Sequence, residues 1–390
     1  GMIFPYHLAY FNELVGGPAN GYRCLVDSNL DWGQDLKTLK RFLDARGIDD
    51  VWLGYFGRGS PDYYGIRYRS IFVPGSPDFA EGFAPLNPTP GWYAISATVL
   101  QGPFSSEPDA LDWFRRRKPE AMIGYSILVY RVDPDPTPPA WLALCYAPNP
   151  VMSQGKVLRR LGREDIRVVG FDCGQSWVAP VGHAAGWYLV PPPANGADSL
   201  ASGFLDQSDL VADGRGLRDR PAYALYRISE PIDIGNMLLT KAMWKSEALA
   251  PRGSASLNIL EAPVNLSDQL DLLGYRVSSE EPKTGGELVV TTAWQVRSRP
   301  DDLALSLFAH LVGADGAISV GDSLGYPAIQ WLPGDVFIQQ NRLKVPENAA
   351  GTYWIEMGIY SLASGDRRQV LEGGQSVADR VLLRPVEVNQ

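Results

Sequence analysis

The chain has 390 residues, 45% of them hydrophobic and 20% charged, with a formal net charge of −9. That length leaves room for two or three domains, each with its own core, and the composition excludes a globally disordered chain. The acidic excess argues against nucleic acid as a partner, because neutralising phosphates needs a basic face.

The densest basic run, Arg115 to Lys118, lies between Asp112 and Glu120. It reads as a solvated helix end, with an anionic headgroup or phosphate as the alternative. Cys24, Cys145 and Cys173 are far apart, which leaves one disulfide possible and argues against a zinc site. The longest apolar stretch, Ala121 to Tyr130, is about half of what a helix needs to cross a bilayer. Gly1 before Met2 reads as a cloning remnant, and the lack of a visible export signal fits a fragment as well as a cytoplasmic protein.

The predicted elements fall into three blocks. The first, residues 1–135, opens with an apolar and aromatic stretch from Ile3 to Val15. A strand is predicted over Tyr22 to Val26, running into the polar loop Asp27 to Gly33. Leu36, Leu39, Phe42 and Leu43 recur at helical spacing, Gly47 stands at a C-cap position, and a buried strand is predicted over Val51 to Phe56. Further strands are predicted over Trp92 to Val99 and Met122 to Val132, with a short helix from about Pro108 to Arg117 between them. A Pro-rich linker beginning at Asp133 closes the block.

The second block, residues 140–235, echoes the first. Lys156 to Gly162 followed by Ile166 to Phe171 repeats the order helix, glycine, strand. The Gly-Trp-Tyr at Gly186 matches that at Gly91, and Tyr226-Arg-Ile matches Tyr130-Arg-Val, at nearly the same interval. In the third block, residues 256–390, the period changes. Leu288, Val290, Thr292, Trp294 and Val296 alternate with their neighbours, as do Leu305, Leu307, Ala309 and Leu311. Turn signals such as Leu332-Pro-Gly-Asp separate these runs. The expected fold is α+β and multidomain: two related α/β units with mixed sheets, then an antiparallel β-sandwich of jelly-roll or immunoglobulin-like type.

The loop from Asp27 concentrates polar side chains. Its D-x-N-x-D spacing is that of a calcium loop's start, but Trp32 stands where the turn glycine belongs and Thr38 where the bidentate glutamate belongs. An EF-hand is therefore rejected and no metal ligand is assigned, with a looser calcium or magnesium site as the least favoured alternative. Asp31 is read as a helix cap, or as part of a sugar-binding set in which Asp27, Asn29, Asp31, Gln34 and Asp35 bond hydroxyls while Trp32 offers a stacking face. Trp331, beside a Pro-Gly turn, is the second candidate platform, whereas Trp294 is placed in the core. A glycosidase needs two close carboxylates, one with a raised pKa, and Asp27 and Asp31 are read as an exposed pair without apolar neighbours. No G-x-S-x-G elbow or phosphate-binding glycine signature occurs, and His7, His183 and His310 are scattered. No catalytic residue and no cofactor are expected.

Two stretches carry a resemblance. His7 to Pro18 and Leu25 to Leu36 are similar to the segment that follows the last membrane helix in bacterial phospholipid-carrier-dependent glycosyltransferases, the family (family 39 type) resembling dolichyl-phosphate-mannose–protein mannosyltransferases. The third block resembles β-sandwich modules appended to envelope proteins, through Gly274-Tyr, the turn from Trp331 to Asp335, Gly358-Ile-Tyr and Ser364-Gly-Asp. The resemblance implies an outer region of a membrane enzyme that moves a sugar from a polyprenyl-phosphate lipid, on the extracytoplasmic face of the cell envelope. It implies that the catalytic acidic residue lies in a loop outside this sequence, so this portion alone is expected to be inactive. The implied partners are the membrane-embedded part of the same polypeptide and a glycan or protein acceptor. A freestanding carbohydrate-binding module of the envelope and, more remotely, a glycoside hydrolase are the other readings.

Overall fold

The computed structural model describes residues 6, 9–11, 14, 16–73, 76, 78–105, 107–181, 185–192, 200–205, 208–216, 221–229, 243–244, 258–260 and 262–389. Contacts group the chain into two compact units: Gly1–Pro138 with Met152–Ile166 and Leu210–Leu225, and Pro139–Val151 with Arg167–Asp209 and Tyr226–Gln390. The described strands form four sheets, some mixed and some antiparallel. No helix among the described residues is long and apolar enough to cross a membrane.

The first unit begins with a short helix α1 (Pro18–Gly21), followed after the polar loop by α2 (Leu36–Arg46). Then come β1 (Val51–Gly54), β2 (Tyr68–Ser70), β3 (Gly91–Ser96), α3 (Ala97–Gln101), α4 (Asp112–Arg115), β4 (Ala121–Ile123) and β5 (Ile127–Val132). The sheet order is β2-β1-β3-β5-β4, with β1 parallel to β2 and β3, and β5 antiparallel to β3 and β4. Strand period two divides the apolar side chains between two cores. Val51, Leu53, Ile127 and Val129 meet Leu36, Leu39 and Leu43 of α2 on one face. Trp52, Tyr93, Ile95, Leu128 and Tyr130 meet Phe83, Leu100 and Phe114 on the other. Both faces are covered, which is why the run from Val51 to Gly54 is apolar throughout. Each buried leucine of α2 contributes on the order of 2 kcal/mol. Gly47 in the left-handed region ends α2, its N–H bonding the Asp44 carbonyl at 3.2 Å while Ile48 N–H bonds that of Leu43 at 2.9 Å.

Three expectations in this block are corrected. Tyr22 to Val26 is not a strand: Cys24 and Leu25 N–H both bond the Gly21 carbonyl, so the chain turns locally and continues into a single 3-10 turn at Asp27–Asn29. The run Met122 to Val132 is two strands, because Gly124 and Tyr125 at positive φ fold β4 back on β5. Trp92 to Val99 is strand only to Ser96, after which α3 begins. Much of Ile3 to Val15, and both His7 and His183, lie outside the described residues. The basic run is the solvated end of a helix, as expected: Arg116, Arg117 and Lys118 are exposed at the end of α4, where Arg116 pairs with Asp112 and Asp213 and Arg117 lies 3.5 Å over the Trp113 ring.

From the middle of the chain, β6 (Trp141–Cys145), β7 (Arg167–Phe171) and β9 (Gly186–Val190) are parallel, β6 lying between the other two. This β7-β6-β9 arrangement has the order and direction of β2-β1-β3. Helix α5 (Gln154–Leu161), which ends at Gly162 in the left-handed region, belongs to the first unit. Strands β10 (Asp209–Gly214) and β11 (Tyr223–Ile228) are divided between the units. Cys145 and Cys173 are bonded to each other, and Cys24 is free and exposed. On the outer strand β7, both backbone groups of Gly170 are taken by the amide of Gln330: its N–H bonds Oε1 at 2.6 Å and its carbonyl accepts from Nε2 at 3.0 Å.

The rest of the second unit is antiparallel. One sheet is ordered β13 (Asn258–Ile259), β12 (Met243–Trp244), β23 (Val381–Val388), β20 (Gly351–Ser361), β17 (Leu305–Gly313), β18 (Gly316–Val320). The other is ordered β22 (Gln375–Ala378), β21 (Val370–Glu372), β14 (Val264–Leu266), β15 (Leu270–Val277), β16 (Glu287–Val296), β19 (Val336–Lys344), β8 (Ser176–Ala179). Thus β8, from the second block, pairs antiparallel with β19 of the third. Its Trp177 is fully buried and stacks on Phe204 of helix α6 (Leu200–Leu205).

Trp331 is not an exposed platform; it is 0% exposed, with its indole N–H on the Tyr326 carbonyl at 3.0 Å and its ring stacked on Phe337. The cause is Asp335, also fully buried, whose carboxylate draws the whole turn inward. It accepts from both Arg167 nitrogens at 2.6 and 2.7 Å, Tyr326 Oη at 2.6 Å, Leu332 N–H at 2.8 Å and Val181 N–H at 2.9 Å. Burial alone would raise this carboxyl, but those donors, Arg167 foremost, hold it below the usual carboxylate range. Trp294 is in the core, as its mid-strand place implies.

Candidate functional site

The loop from Asp27 to Asp35 reaches the carboxyl ends of β1 and β3, where open α/β sheets place their ligand sites. Bonds from both strand ends hold it there. The Asp27 N–H bonds Thr98 Oγ1 at 2.9 Å, and Tyr55 Oη donates to the Gly33 carbonyl at 2.9 Å. Gly33 has φ +76°, and a Cβ there would meet Tyr55 Oη at 2.2 Å and the Gly57 backbone at 2.9 Å. Only glycine permits this approach.

The six polar and aromatic residues expected to act together divide into two groups. Asp31 and Asp35 point inward. Asp31 is 0% exposed, and its two carboxylate oxygens accept from Gly33 N–H at 3.2 Å and Thr98 N–H at 3.4 Å. Burial pushes its pKa up to about 6, even though these bonds act in the opposite direction. Asp35 is buried too, accepts from Ser126 Oγ at 2.7 Å, and is also raised by burial. Asp35, rather than Asp31, occupies the N-cap of α2, and it does so without a side-chain capping bond. The reading of Asp31 as an exposed loop carboxylate is thereby corrected. The glycosidase requirement of a raised carboxyl is met in value but not in access, since a side chain sealed from solvent cannot protonate a glycosidic oxygen.

Gln34 is exposed but bonded within the loop: its Oε1 accepts from Trp32 N–H at 2.8 Å and its Nε2 donates to the Leu30 carbonyl at 3.2 Å. Asn29 is exposed and Asp27 half-buried, with Asp27 at φ +57°. Trp32 is 61% exposed, and its indole N–H bonds the Ser28 carbonyl at 3.0 Å. With main chain and ring both tied, Trp32 presents a flat apolar face whose rotamer entropy is already spent.

Sequence reasoning missed two neighbouring rings. Phe56 follows β1 directly, its N–H bonding Ser96 Oγ at 3.1 Å. Phe104, 71% exposed, stacks on it with centroids 6.3 Å apart and planes 15° from parallel. No local signal marks this pair; the glycines Gly57 and Gly59 after the buried strand mark only the close approach of that segment to Gly33 and Tyr55. Among the described residues, no cluster of His, Cys, Asp and Glu has a metal-binding arrangement. His310, expected on a strand, lies on β17 and contacts Glu356 and Asp322, each at 3.1 Å. What the loop offers chemically is therefore an aromatic face flanked by one accessible carboxylate and one amide.

Neither the family models nor the curated proteins compared with this chain give a match. Among solved structures the chain is similar to one described as the crystal structure of the C-terminal domain of Wzt, at 15% identity and a TM-score of 0.25, over 33% of this chain and 80% of that one.

Proposed function

We propose that this chain is the outer, non-catalytic part of a cell-envelope glycosyltransferase that uses a polyprenyl-phosphate donor, and that the loop around Trp32 holds the acceptor glycan. The antiparallel sheets of the second unit are read as the leaves of a β-sandwich that braces the enzyme. The observation that carries the reading is the fixed, exposed Trp32 ring at the carboxyl ends of parallel strands, with Asp27 and Asn29 on the same loop. Sugars present C–H faces to rings and hydroxyls to carboxylates and amides, and this loop supplies both. The buried state of Asp31 and Asp35 supports the non-catalytic part of the reading, because neither can take part in proton transfer to a bound sugar. The membrane-embedded remainder of the same polypeptide, on the extracytoplasmic face, is the partner the reading requires.

Calorimetric titration of the chain with envelope-type oligosaccharides tests it. Binding that weakens roughly tenfold in Trp32→Ala supports the proposal. Absence of binding by the unmodified chain, or sugar transfer from a polyprenyl donor by the purified chain alone, overturns it.

A further inference from the structure

A concavity in the first unit is lined by none of the Asp27 loop residues. It encloses about 850 Å³ and is formed by the segment from Asp78 to Pro85, Ser105 and Glu107, and helix α5 with its C-terminal end. That volume is within the range of small-molecule clefts, about 300–1,000 Å³. Its base is fixed by packing and pairing. Phe79 stacks on Phe72 and leans on Phe83, which leaves it half-buried at the cleft. Glu107 is bound by both Lys156 and Arg160, and Arg160 is only 7% exposed. The Leu86 N–H bonds the Arg160 carbonyl at 3.0 Å and Asn87 Nδ2 bonds that of Leu161 at 3.1 Å, which pins α5 to the cleft wall.

The lining mixes apolar groups, aromatic rings and charges of both signs. Arg159 is exposed on one side, and Glu81 and Glu164 are exposed in the same cleft. With Lys156 and Arg160 both held by Glu107, three carboxylates, Asp78, Glu81 and Glu164, stand against the one guanidinium of Arg159, which disfavours an anionic ligand. A polyhydroxylated ligand is matched by both, since carboxylates accept from its hydroxyls and guanidinium and ammonium groups donate to its oxygens. The part of the Phe79 ring left uncovered by Phe72 and Phe83 gives the ligand's C–H groups an apolar contact. We propose that this cleft is a second carbohydrate subsite that takes a short uncharged oligosaccharide. It rests on the reading that the chain engages glycans, and extends that reading to residues in another part of the unit.

The test is calorimetry on the full chain with neutral oligosaccharides, with uronic-acid and phosphorylated oligosaccharides in parallel arms. Phe79→Leu keeps apolar contact with Phe72 and Phe83 while removing the aromatic ring, and Arg159→Ala changes an exposed side chain, so both variants retain the fold. Each is expected to weaken neutral-glycan binding by roughly fivefold to tenfold. Unchanged affinity in both variants, with loss only in Trp32→Ala, overturns the cleft and leaves the proposed function standing. Tighter binding of the charged oligosaccharides overturns the assignment of ligand class. Absence of any glycan binding by the unmodified chain overturns both proposals together.

Discussion

Asp31→Asn isolates the electrostatics of the loop. A carboxyl moved from its ordinary 3.8 to about 6 by burial is linked to stability at about 1.4 kcal/mol per pH unit, or about 3 kcal/mol in all. The sign follows from proton counts. Between about pH 4 and pH 6 the folded chain keeps a proton that the unfolded chain has released, so stability falls as pH rises through that window. Below it the penalty is absent, and above it the penalty is complete. Asparagine cannot ionise, and so removes this slope. Its NH₂ group faces one of the two N–H donors, from Gly33 or Thr98, adding a pH-independent offset of about 1–2 kcal/mol. Urea denaturation of both proteins at several pH values from about 4 to 7.5 gives the stability difference directly. The wild type should lose about 3 kcal/mol relative to the variant across that range. A flat difference, or one that grows in favour of the wild type with rising pH, would refute the argument that Asp31 is ionised against its burial.

Two further predictions concern the second unit. Replacing both Cys145 and Cys173 by serine opens a loop of sequence separation 28 and should lower stability by about 3–4 kcal/mol; an unchanged denaturation midpoint would count against the bridge. Arg167→Met leaves the buried Asp335 carboxylate without its cation and should lower stability by about 3–5 kcal/mol. Adding Asp335→Asn should recover part of that loss, and no recovery in the double variant would mean the damage is steric.

Local pattern made some of this architecture readable and left other parts hidden. Leu36, Leu39 and Leu43 with Gly47 define α2 because helical spacing and a left-handed stop are properties of neighbouring residues. The third block's strands were visible for the same reason, although β16 and β17 are buried over much of both faces, which blurs the alternation. Trp331 was misread because a Pro-Gly turn usually lies on the surface, and the buried Arg167–Asp335 pair that draws it inward joins residues 168 positions apart. Asp31 shows the same limit: its position beside Trp32 gives no sign that Thr98 of another element will cover it. The pairing of β8 with β19 is likewise set by contacts no local window contains. At the candidate site, Trp32 was legible as an aromatic among polar residues, while Phe56 and Phe104 came together only through the fold.

The glutamine bonded to Gly170 has a bearing on solubility. A strand at the margin of a sheet carries unsatisfied main-chain groups that can recruit another polypeptide and seed aggregation. By offering its carboxamide as an imitation peptide group, Gln330 occupies that position in β7. At this one residue the side chain takes the place of a neighbouring strand, and a foreign strand pairing at Gly170 must first displace it.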